Sequence, residues 1–259
     1  MSTAEEPAVD GSTARRRAIV DRVRGQLNRV VRPSLVDRVP RDHWQTDQAF
    51  RRRRVVVIVT LIVGATLLGV SLSVHPGDAL FYYLTFALAA VWVIGGFASG
   101  PLHLGRIISG ASKTRRPIVA PILIGLAVSA VYILGALVVR QVPLLRDYTE
   151  NVLAHARYGS TALVLVITLV NGIAEEVYFR GALYAGIGVR HPVAISTVVY
   201  TIATVAAGNP MLVFAACTLG VVLALQRRAS GGVLAPILTH VTWSAVMYFA
   251  LPPIFAAAS

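Results

Sequence analysis

Acidic residues run out early in this chain. Of its 12 aspartates and glutamates, only Glu175 and Glu176 lie beyond Glu150, although 259 residues are present. Lysine is almost missing too: Lys113 is the only one among 24 basic residues, the rest being arginine. Charged residues make up 14% of the chain, against roughly a quarter in a soluble domain. One cysteine, Cys217, excludes an intrachain disulfide or a multi-thiolate metal site. The first 50 residues hold no apolar stretch of the kind that forms the core of a cleavable signal peptide. There is no H-E-x-x-H, no G-x-S-x-G and no glycine-rich phosphate cradle, so zincin, serine-hydrolase and nucleotide-binding chemistry have no foothold.

What fills the chain is apolar. Hydrophobic residues make up 56%, and the mean hydropathy is +0.68. Long apolar runs cover 55–74, 79–99, 117–139, 160–179, 192–207, 211–226 and 232–256. A helix needs about 20 residues to cross the hydrocarbon core, so the pattern predicts an all-α polytopic bundle of about seven spans. The runs 192–207 and 211–226 are short, and "AAGNPM" between them allows only a tight turn; a buried hairpin of shorter helices is the alternative. The expected organisation is a cytoplasmic segment, 1–50, followed by a transmembrane domain, 51–259.

The net charge of +12 has two readings, nucleic-acid binding or membrane topology. The basic residues cluster at the N-terminus and in short loops between apolar runs, which fits the positive-inside rule and not a nucleic-acid surface. That rule predicts a multi-pass protein of the plasma (inner) membrane with a cytoplasmic N-terminus. Residues 1–13 are small and polar, and are expected to be disordered. In "ARRRAIVDRVRGQLNRVVR" (14–32), Ile19, Val20, Val23, Leu27, Val30 and Val31 recur at helical spacing between arginines. This predicts a basic amphipathic helix, lying either on an anionic membrane face or on the protein's own loops.

The stretch "NGIAEEVYFR" (171–180) carries the last two carboxylates at the edge of an apolar run. Ionisable groups in spans are costly, about 2.5–3.5 kcal/mol or more, and are paired, cavity-lining or functional. Adjacent helical positions differ by about 100°, so Glu175 and Glu176 must face different partners. Arg180, four residues on, shares a face with Glu176 and can pair with it. A raised carboxyl pKa would suit Glu175 to activating water; a purely structural Glu–Arg pair is the plainer alternative. His240, with Ser244 one turn later, is the other polar intrusion, in the last apolar run.

"EEVYFR", followed by an apolar helix and then by "LGVVLALQRRASGGVLAPILTH", resembles the CPBP family of CAAX-type prenyl-protein proteases and bacteriocin-processing membrane proteins, also called the Abi family. The resemblance spans about 160–248. Its first motif, E-E-x-x-x-R, is met by Glu175, Glu176 and Arg180. Its second pairs an aromatic residue with a histidine four positions later; Tyr200 fits, but Thr204 stands where the histidine belongs. Its third, histidine followed by asparagine or aspartate, is met by His240 with Ser244 in the second place. The resemblance implies that Glu175 is the base, His240 an oxyanion donor and Glu176 with Arg180 the orienting pair. Either glutamate alone or a divalent metal such as zinc would activate water. Glu175, Glu176, Arg180, Thr204 and His240 are expected to line one polar cavity near the cytoplasmic side. Two functions follow: an intramembrane endopeptidase, weakened or silenced at Thr204, or a non-catalytic scaffold holding a partner protein or lipid in the same cavity. Membrane lipids and a membrane peptide or protein are the expected partners, and no nucleic acid is.

Overall fold

A computed structural model describes residues 11–40, 43–109, 113–157 and 160–256. Six of its helices are long and apolar enough to cross a membrane: α2 (Asp47–Ser73), α3 (Ala79–Ala98), α4 (Val119–Val139), α6 (Thr161–Ile187), α8 (Pro210–Ser230) and α9 (Leu234–Ala256). The run expected as a fifth span forms α7 (Pro192–Val205), whose 14 residues extend about 21 Å, short of the roughly 30 Å hydrocarbon core. Of the two runs expected to be short, α8 reaches full length, because its helix continues beyond the apolar residues through Gln226, Arg227 and Arg228.

Local chemistry sets the helix starts. Thr46 accepts the Ala49 amide at the head of α2, and Asp78 accepts the Leu80 amide at the head of α3. Pro210 opens α8 behind Asn209, whose side chain accepts the Met211 amide, and Gly231 closes it at φ +70°. Two short helices lie outside the spans: α1 (Gly11–Val31), which runs on into one wide turn at Arg32–Val36, and α5 (Pro143–Arg157). The stretch expected to be disordered, 1–13, lies outside the described residues as far as residue 10; residues 11–13 are the first turn of α1. A two-residue hairpin, β1 (Ile107–Ile108) with β2 (Thr114–Arg115), sits in the loop between α3 and α4.

Side chains on α2, such as Ile58, Val59 and Ile62, are more than half exposed, the outward apolar surface that a bundle presents to lipid. Close helix approach relies on small residues: a methyl group at Gly64 of α2 would sit 2.1 Å from the Trp92 ring of α3. The core gathers Val57, Leu88, Trp92, Tyr178, Phe179 and Ala216 from four elements around the middle of α6. The spans alternate in direction, so the bundle has two chemically distinct ends. One carries the heads of α2, α4, α7 and α9 with nearly all the arginines; the other carries α5 and the α2–α3 and α7–α8 turns.

On α1, Ile19, Val20, Val23 and Leu27 are each more than half exposed, so the apolar stripe faces away from the protein's own loops. At the same end, Arg53 is 4% exposed and holds Gln45, Ser99 Oγ and the Pro101 carbonyl, fastening the N-terminal linker and the α3–α4 loop to α2.

Candidate active site

The helix that carries the E-E-x-x-x-R segment changes winding inside it. Thr161–Glu175 is α-helical, and Glu176–Leu183 is a π-helical stretch within α6. Such wide turns occur often at functional sites and re-aim side chains within an otherwise regular helix. Here the change falls between the two glutamates, and they diverge.

Glu176 is fully buried, and its Oε1 accepts from Arg180 Nη1 at 2.9 Å and from His240 Nδ1 at 2.9 Å. Arg180, 1% exposed, also donates Nη2 to the Gly220 carbonyl and lies over the Tyr200 ring at 4.5 Å. Glu176 therefore ties α6 to α9 through one oxygen. Because a carboxylate can only accept, Nδ1 is the donating nitrogen of His240, and Nε2 is the one available to the cavity. Gly172, one turn before Glu176, faces the imidazole: a methyl group there would meet His240 Cδ2 at 3.6 Å, an ordinary contact distance.

Glu175 turns the other way, to α7. Its Oε2 accepts the Tyr200 hydroxyl at 2.6 Å, within the range of short charge-assisted bonds. Thr204 lies one turn after Tyr200 and donates its hydroxyl back to the Tyr200 carbonyl at 2.9 Å, so its hydrogen goes to its own helix. Ser244 is buried on α9, one turn beyond His240.

Glu175, Thr204, His240 and Ser244 border one cavity of about 270 Å³, with Thr168 and Asn171 of α6 on the same wall. Most of the remaining lining is aliphatic or aromatic, including Leu72, Leu88 and Trp92. Glu176 and Arg180 stand behind this wall and brace it. The expectation of a cavity near the arginine-rich, cytoplasmic side is not met. From Glu175 it extends to Leu72, Val152, Ala207 and Leu212, all near the opposite end. The physical reason is packing: the bulky pair Tyr178 and Phe179 fills the bundle on the far side of the glutamates, with Trp92 against both rings.

Among the described residues, no three His, Cys, Asp or Glu side chains gather where an ion could be held. Glu176 Oε1 is already shared by a guanidinium and an imidazole. The donor set does not fit a resident zinc ion.

Tyr200 is the residue of the candidate site whose partner the sequence pattern did not assign. A signal was present: a tyrosine in an apolar helix needs a partner for its hydroxyl once buried, and a lone carboxylate 25 residues earlier was unclaimed.

Residues 157–246 match the family model described as Rce1-like, type II CAAX prenyl endopeptidase Rce1-like, over about a third of the chain. Over that stretch the chain is similar to CAAX-protease-like membrane proteins, and six of its helices are long and apolar enough to cross a membrane. No curated protein and no solved structure matches the chain.

Proposed function

We propose that the protein is an intramembrane peptidase of low activity, working through Glu175 with Tyr200 and His240 with Glu176. The observation that carries this reading is that both carboxylates hold a catalytically useful partner beside one cavity, although Thr204 stands in the histidine position. Glu175 takes a proton from a water molecule, and the resulting hydroxide adds to the peptide carbonyl carbon. The oxygen of that carbonyl becomes negative, and the Ser244 hydroxyl donates to it. Glu175 then returns the proton to the departing amine as the C–N bond breaks. Tyr200 fixes the carboxylate in place, and Glu176 fixes the imidazole. The expected localisation is the inner membrane, with the N-terminus cytoplasmic and the arginine-flanked stripe of α1 laid on anionic lipid.

A second reading rests on Thr204 itself. A hydroxyl tied to its own helix cannot take a proton from water, so the site would bind a partner protein or lipid in the cavity without cutting it. Purified protein in liposomes with a library of apolar peptides separates the two. Cleavage lost in both Glu175→Gln and His240→Ala supports the peptidase; peptide binding without cleavage in the native chain supports the second reading.

A further inference from the structure

We infer that the cavity is served from the arginine-poor face of the membrane, so that the peptide it takes is an apolar, uncharged stretch presented outside the cytoplasm. This goes beyond the reaction class: it names the side and chemistry of the substrate. The word substrate rests on the peptidase reading, whereas the side of access holds equally if the site only binds.

Three observations converge. The first is charge. Of 24 lysines and arginines, only Arg140, Arg146 and Arg157 lie at the end that carries α5, and Arg180 is buried in the middle. Arg146 is further offset by Asp147 and Glu150 beside it. Of the remaining 20, the 19 within the described residues sit at the other end, a bias that places that end in the cytoplasm.

The second is the position of the cavity. Its outer walls are the late turns of α2 and α7, the early turns of α3 and α8, and Val152 of α5, all in the arginine-poor half; its inner end lies mid-bundle, at Trp92, Glu175, Phe179 and the α9 residues His240 and Ser244. A second cavity of about 390 Å³ adjoins it, sharing Leu72, Val152, Ala207 and Leu212 and reaching His75, Tyr148 and His155 at the end of the bundle. Toward the arginine-rich end the path is closed by Tyr178, Phe179 and the Glu176–Arg180 pair, each at most 2% exposed. Among the described residues, α5 covers the outer side together with the α2–α3 and α7–α8 turns, and two hydrogen bonds hold it there: Asn209 Nδ2 to the Tyr148 carbonyl at 2.7 Å, and His155 with the Val74 carbonyl at 3.2 Å.

The third is lining chemistry. Apart from Glu175, His240 and the Glu175-bound Tyr200, no ionisable side chain borders the inner cavity, and its polar groups are the neutral Ser71, Thr85, Thr168, Asn171, Thr204 and Ser244. A lysine, arginine or aspartate of a substrate would lie there without a partner. At about 270 Å³ the space is near the low end of ligand cavities, roughly 300–1,000 Å³, and suits a short extended segment with small apolar side chains.

The test reads accessibility, so it stands whether or not cleavage is found. Cys217 is replaced by alanine, and single cysteines are placed at Lys113→Cys in the arginine-rich loop, His75→Cys in the opposite turn, and Thr204→Cys or Thr168→Cys in the cavity. Intact cells are treated with a small membrane-impermeant methanethiosulfonate. The expected result is labelling of His75→Cys and of at least one cavity cysteine from outside, with Lys113→Cys protected until the cells are permeabilised. Two cavity positions are used so that one poorly folded variant does not decide the matter. Labelling of Lys113→Cys from outside, or cavity cysteines that react only from the Lys113 side or from neither side, would overturn the inference.

Discussion

Replacing Glu176 by alanine is the sharpest structural perturbation, because one oxygen serves two donors. In Glu176→Ala, Arg180 keeps only the 3.3 Å bond to the Gly220 carbonyl and its contact with the Tyr200 ring, while it stays 1% exposed. An uncompensated buried charge of this kind costs about 3–5 kcal/mol. The stranded Nδ1–H of His240 adds about 1–3 kcal/mol unless the ring turns to another acceptor. With about 2–4 °C of melting temperature per kcal/mol for a chain of this size, the stranded Arg180 alone should make the variant unfold roughly 6–20 °C lower in detergent. Glu176→Gln keeps an acceptor for one donor and should fall between the two. Removing both charges, in Glu176→Ala with Arg180→Met, should recover much of the loss, since a buried pair replaced as a unit is often close to neutral. Thermal unfolding followed by tryptophan fluorescence reads all four proteins. A drop below about 1 kcal/mol for Glu176→Ala, the size of an average substitution, would refute the view that this carboxylate is the central brace.

Arg53→Met should destabilise the chain by about 1.5–3 kcal/mol through its lost charged hydrogen bonds, and should hasten proteolysis of the 99–118 loop that Ser99 and Pro101 anchor. Gly64→Ala puts a methyl group 2.1 Å from the Trp92 ring and should cost about 1–3 kcal/mol, read in the same melting assay; an unchanged melting point would mean that α2 and α3 are not packed this closely. A peptide of residues 14–32 should gain helical circular dichroism on anionic vesicles and lose it in high salt, and no gain on vesicles would remove the membrane-surface role of α1.

The spans were legible because hydropathy over 20 residues depends little on tertiary context, and the E-E-x-x-x-R segment because carboxylates in such a run have few reasons to exist. The divergence of Glu175 and Glu176 also followed from helical angle alone. Other features needed three dimensions. The π-helical winding of Glu176–Leu183 leaves no periodic trace, because every residue of that stretch is buried. The pairing of Tyr200 with Glu175 depends on α6 meeting α7 in one register. That His240 is held through Nδ1 by Glu176, leaving Nε2 for the cavity, also depends on how α9 packs against α6. The side of the cavity could not be read from loop charge either, because it is set by where Trp92, Tyr178 and Phe179 fill the bundle.

The central claim is that Tyr200, and not the side chain at 204, holds the working carboxylate. A cleavage assay in liposomes comparing Tyr200→Phe with Thr204→Ala tests it most directly. If Tyr200 positions Glu175, Tyr200→Phe should lower the rate by about 10²-fold or more, the usual scale for a disturbed acid–base group, while Thr204→Ala stays close to the native rate. Full activity in Tyr200→Phe, with loss in Thr204→Ala, would contradict the account.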